Sequence, residues 1–146
     1  MTTNDAKYDL LKTELLLTQG QMDKYDQLSS TVKTWTMTLW AAAVGWGIQT
    51  HAPIIALLGG VSTLFFWFFD AYVMMFRLNY KDRRNGVALL LKAYAATGEF
   101  PAGTETPDLP NHDNGGIMRS FLLVHLSLPY AVLVVLTVTV FFLIAR

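Results

Sequence analysis

Polar and apolar positions fall into blocks along this chain. The stretches 34–69, 71–76 and 120–145 contain no Lys, Arg, Asp or Glu, and Asp70 is the one charge between the first two. Charge-free runs of this length have the composition of helices that cross a bilayer. The pattern predicts an all-α integral membrane protein with three transmembrane helices and long cytoplasmic helical extensions. Four regions follow: an amphipathic helix over 1–33, a transmembrane hairpin of two spans over 34–76, a basic helix and turn-rich loop over 77–119, and a third transmembrane helix over 120–146.

Within the first region, Tyr8, Leu11, Leu15, Thr18, Met22, Tyr25, Ser29 and Val32 recur at alternating spacings of three and four. That is the period of one helical seam. Asp9, Lys12, Asp23, Lys24 and Gln27 take other faces, as an amphipathic helix requires. The seam, with Tyr8, Leu11, Leu15, Met22 and Tyr25 as its anchors, fits two arrangements: packing against the same chain, or contact with another subunit or partner protein.

No Pro or Gly separates Ser29 from Trp35, so the first helix is expected to run directly into the first span, 34–48. This span is short and carries Thr34, Thr36 and Thr38, so it needs protein neighbours. Ala41 with Gly45, and Ala43 with Gly47, are small residues four apart, which lets helix backbones approach closely. A turn is expected at 49–53, with Pro53 fitting the first turn of the next helix. The second span, 53–76, reaches about 36 Å at helical rise, enough to cross with tilt. Its helix is expected to continue through Lys81, Arg83 and Arg84 and to stop at Gly98. Six further Pro and Gly residues between 101 and 116 predict an irregular loop. A single helix over 119–145 is then expected, kinked at Pro129.

Charge sets the orientation. The 49–53 turn has no Lys or Arg, whereas 1–33 and 77–119 have several. By the positive-inside rule the N-terminal helix and the long loop face the cytoplasm of a cell inner membrane and Arg146 lies outside. The polar character of 1–33 leaves insertion to the hydrophobic helices themselves.

Composition narrows the functional classes. The 15% charged residues overall, against about 25% in soluble domains, exclude an ordinary soluble enzyme. Equal numbers of basic and acidic residues, 11 each, give no reason to expect a nucleic-acid partner. Without cysteine there are no disulfides, thiol nucleophiles or thiolate metal sites. The stretch from Pro107 through Asp108 to His112 and Asp113 lacks a spaced set of metal donors, and no phosphate loop or nucleophile elbow occurs. No catalytic residues, metal or cofactor are expected.

Two polar residues inside spans stand out. Asp70 is the only acid there, and it is costly in hydrocarbon unless paired or wet. His125 on the third span is expected at similar depth, so an Asp70–His125 contact is one candidate clamp, with Tyr72, Tyr80 or a backbone group as other partners for Asp70. A proton or ion relay is the functional alternative. Lys81, Arg83 and Arg84 form a basic run suited to anionic headgroups or, gathered from several subunits, to an anionic ligand. Phe65, Phe69, Val73 and Phe76 recur along one face, which in a ring of subunits would make a hydrophobic constriction.

A polar helix entering a short span, a tight outer turn, a second span, and a basic helix opening with Asn79-Tyr80-Lys81-Asp82-Arg83-Arg84 resembles the small SLATT-type membrane effectors of prokaryotic antiviral and conflict systems. The resemblance covers 30–97; the long loop and the third span, 121–144, depart from that pattern. It implies a homo-oligomer that permeabilises or depolarises the inner membrane when a separate sensor or soluble partner at the cytoplasmic face triggers it. The competing expectations are a membrane anchor that recruits a soluble partner through 5–33, and a small transporter or channel with Asp70 in the conduction path.

Overall fold

The computed structural model describes residues 3–101 and 114–145, apart from the side chains of Thr3, Asn114, Gly115, Arg119 and His125. Every regular element among them is an α-helix: α1 (Thr3–Gln49), α2 (Pro53–Thr97), α3 (Asn114–Phe121) and α4 (Val124–Ile144). The polar N-terminal stretch and the first apolar stretch are thus one continuous helix of 47 residues. Pro53 opens α2 as expected, its missing N–H falling where helices have no internal acceptor. The connecting turn closes through Thr50 N–H to Trp46 O and Ala52 N–H to Gly47 O, both 3.0 Å, with His51 in the left-handed region. Gly98, at φ 73°, ends α2 by donating to Tyr94 O.

Among the described residues, two helices are long and apolar enough to cross a membrane: α2, and α4 over Leu126–Ile144.

The chain forms two compact units. One comprises 1–26 and 76–113. Here α1 and α2 lie antiparallel, with Tyr8 beside Tyr94, Gln19 bonded to Arg84 and Asp26 paired with Arg77. The sequence seam faces inward: Leu11, Thr18 and Met22 are buried, as is Val87 from α2. Tyr25 stacks on Phe76 and Tyr80, and Tyr94 on Phe100. The heptad-spaced stripe therefore serves packing within the chain, the first of the two expected arrangements.

The other unit comprises 27–75 and 114–146. Close helix contact here depends on small residues. A Cβ on Gly47 would sit 3.0 Å from Ala56 N, one on Gly59 3.0 Å from Ala43 Cβ, and one on Gly60 2.7 Å from Thr137 Cγ2. The pair Ala43 and Gly47 is used as expected, whereas Gly45 has open space around it and Ala41 is exposed. Trp40 Nε1 donates to Thr137 Oγ1 at 2.8 Å, tying α1 to α4. The hydroxyls of Thr34, Thr36, Thr38, Thr63 and Thr137 each donate to a carbonyl four residues back, so these helices carry threonine without a free polar group.

The C-terminal third differs from expectation in two ways. Helix α3 begins at Asn114, so Gly115 and Gly116 are helical; Gly116 lies close against Met75, where a Cβ would be 3.3 Å from its Cγ, and Ser120 Oγ donates to its carbonyl. The helix then breaks at Leu122 and Leu123 rather than at Pro129, which lies inside α4. Ser127 lies at this break: its hydroxyl donates to the carbonyl of Phe121 and to that of Leu123, which also accepts the N–H groups of Leu126 and Ser127. Pro129 is the sixth residue of α4 and removes one N–H donor from its second turn. Asp108, His112 and Asp113 lie outside the described residues.

Candidate functional site: a buried ion pair between helices

The chemistry of the second unit converges on Asp70, which is fully buried. Tyr130 of α4, also buried, donates its hydroxyl to Asp70 Oδ2 at 2.9 Å. Lys33 of α1 brings Nζ to 3.7 Å from the same oxygen and donates to Ser29 Oγ at 3.2 Å. Three helices thus meet at one carboxylate. The Trp67 ring lies parallel to Tyr130, 6.1 Å between centroids, with Phe121 edge-on to it. Asp70 Oδ1 and Trp67 Nε1 are buried with no hydrogen-bond partner among the described residues.

Local structure accounts for this convergence. Ser29 and Lys33 are one turn apart on α1, as are Trp67 and Asp70 on α2, so each pair presents two groups to one side. Lys33 and Asp70 also lie equally far from the 51–52 turn, and in an antiparallel helix pair such residues come level. The ammonium supplies the opposite charge that a buried carboxylate requires as a partner. Only a quarter of the Lys33 side chain is exposed.

Lys33 and Tyr130 were missing from the candidates named by the sequence alone. The signal for Lys33 was present: it is the last charge before the first charge-free stretch, and it mirrors Asp70 across the turn. Tyr130 gave none, since one tyrosine in an apolar span is ordinary. His125 lies in α4, but its side chain is outside the described residues, so the expected contact with Asp70 is not described; Tyr130 and Lys33 are the described partners.

The basic run of the first unit is turned toward α1. Arg83 Nε donates to Glu14 Oε1 at 2.6 Å, Arg84 donates to Gln19 Oε1 at 3.0 Å, and Arg77 grips Asp26 with two nitrogens. Lys81 alone of the proposed anion-binding trio is exposed and outside these pairings. A groove of about 310 Å³ beside the Arg83–Glu14 pair is lined by Leu17, Thr18, Gln21 and Tyr80. Burial, then the neighbouring Tyr80, pushes the Tyr25 phenol above its ordinary value, so it stays neutral in its stack.

On the proposed constriction face, Phe65 and Phe69 are exposed, but Val73 is buried and Phe76 stacks on Tyr25. That stripe is not a continuous free face. Among the described residues no group of three or more His, Cys, Asp or Glu could hold a metal ion. Comparison with known families, characterised proteins and solved structures gives no match.

Proposed function

We propose that this chain is a three-span, non-enzymatic inner-membrane effector, with the start of α1 in the cytoplasm and the end of α4 outside. It acts as a homo-oligomer that depolarises or permeabilises the membrane in prokaryotic antiviral defence. The observation that supports it best is the division of polarity in the second unit. Trp35, Trp46, Leu58, Phe65, Val135 and Phe142 all point outward and are more than half exposed, while the polar chemistry is drawn inward to Asp70, Lys33 and Tyr130. Apolar exposure on this scale suits lipid, not water. An acid held by an internal cation suits a structural clamp between spans more than a conduction site.

The first span is the least apolar of the three. Its internally bonded threonines and its close packing through Ala43 and Gly47 supply what its composition lacks.

The alternative role is an anchor that recruits a soluble partner. Outward-facing Leu10, Leu16 and Leu17 on α1 favour it, because packing within the chain does not cover them. Two measurements separate the readings. Induced expression with a potential-sensitive dye is expected to show depolarisation and growth arrest for the effector, and neither for the anchor. Mass of the protein in nanodiscs is expected to give four or more copies for the effector; a monomer would support the anchor.

A further inference from the structure

The first unit carries nearly all of the chain's charges, since only Lys33, Asp70, Arg119 and Arg146 fall in the second. Its surface nevertheless includes Leu10, Leu16, Leu17 and Leu89, which are 62%, 66%, 64% and 68% exposed. On α1, residues 9, 10, 13, 16, 17, 20, 23 and 24 fall within about 140° of arc, opposite the buried seam. Gly20, near the middle of this face, has nothing within 4 Å of where a Cβ would stand. On α2, Lys81, Asp82, Asn85, Ala88, Leu89 and Lys92 form an exposed face of their own.

We propose that the outward face of α1 in one copy docks against the outward face of α2 in a second copy, head to tail. The argument rests on the membrane reading above, because copies inserted in one orientation keep each residue at a fixed depth. Depths within this unit are set by its own pairs: Tyr8 lies level with Tyr94, Gln19 with Arg84 and Asp26 with Arg77. Asp9 of one copy therefore comes level with Lys92 of its neighbour, and Asp23 and Lys24 with Lys81 and Asp82. Leu16 and Leu17 come level with Asn85, Ala88 and Leu89.

Charges of opposite sign thus face one another at both ends of an apolar centre. Asp9, Asp23, Lys24, Lys81, Asp82 and Lys92 are all exposed, and none has an ion-pair partner among the described residues. A two-fold contact of α1 with α1 would instead set Asp9 against Asp9 and Lys24 against Lys24, which is repulsive. Because the two faces differ, a docked pair still has one face of each kind free, and the contact repeats until a ring closes.

The test uses the full chain, which has no cysteine of its own. A Thr13→Cys/Leu89→Cys double variant, oxidised in native membranes, should give a ladder of dimer, trimer and higher species, while each single variant stays monomeric. Lys92→Asp should lower crosslinking about threefold to fivefold, and adding Asp9→Lys should restore it. Crosslinking by Thr13→Cys alone would show a two-fold contact and overturn the proposal, as would no ladder from the double variant. Glu99→Cys, on the same unit but off both faces, reports the premise separately. A membrane-impermeant maleimide should label it in inverted vesicles and not in intact cells. Labelling without a ladder rejects the interface alone; no labelling in inverted vesicles rejects the membrane reading, and the shared depth with it.

Discussion

Asp70 concentrates more consequence than any other residue here. Its Oδ2 takes both the Tyr130 hydroxyl and the Lys33 ammonium, so removing either partner leaves a buried charge less well satisfied. Lys33→Met should destabilise the protein by about 3 kcal/mol, the low end for breaking a buried pair because Lys33 keeps partial contact with solvent. Tyr130→Phe should cost about 1–2 kcal/mol, the loss of one hydrogen bond to a charged group. Lys33→Met with Asp70→Asn should cost less than the sum of the single changes, since no unpaired charge remains. Unfolding of the parent, Lys33→Met, Asp70→Asn and the double variant in a graded detergent series measures this coupling, with Tyr130→Phe alongside, and strictly additive losses would show that the Lys33 and Asp70 side chains do not interact. Glycines offer a second contrast. Gly60→Ala forces a Cβ to within 2.7 Å of Thr137 and should destabilise by about 1–3 kcal/mol, whereas Gly45→Ala meets open space and should be neutral or mildly stabilising. Comparing their unfolding midpoints decides it.

Among the elements, α1 and α2 were the most legible from sequence. Their boundaries follow from local chemistry: Pro53 fits the first turn of a helix, Gly98 supplies the left-handed residue that ends one, and nothing between Ser29 and Trp35 interrupts α1. The heptad spacing of Leu11, Thr18 and Met22 was equally plain, but spacing alone cannot say which helix fills the seam, and here α2 of the same chain does. The break at Leu122 and Leu123 was not legible, because proline marks a disturbance more visibly than a serine whose hydroxyl competes for carbonyls. Likewise the basic run suggested a ligand, while the guanidinium groups of Arg83 and Arg84 are engaged by Glu14 and Gln19, acceptors far away in sequence. Since the seam is an internal contact, Leu11→Ala and Met22→Ala should each cost about 2–5 kcal/mol of local stability. Limited proteolysis in membranes should then cut α1 before residue 27 faster than in the parent protein. Unchanged cleavage would mean that the seam is not packed.

For the molecule as a whole, polarity is distributed in opposite senses in the two units. Among the described residues, the second unit exposes many of its large apolar side chains and holds the Lys33–Asp70 pair inside, whereas the first carries most of its charges outside and stacks aromatic side chains within. This contrast supports the proposed division of the chain between lipid and water. Depolarising activity, copy number and the head-to-tail contact all presuppose that division and the orientation assigned to it. The most direct test fuses a reporter pair after Arg146, one enzyme active only in the cytoplasm and one only outside. Three spans with α1 starting inside predict activity of the outside reporter alone. Activity of the cytoplasmic reporter alone would mean an even number of crossings or the reverse orientation, and would contradict the account at its centre.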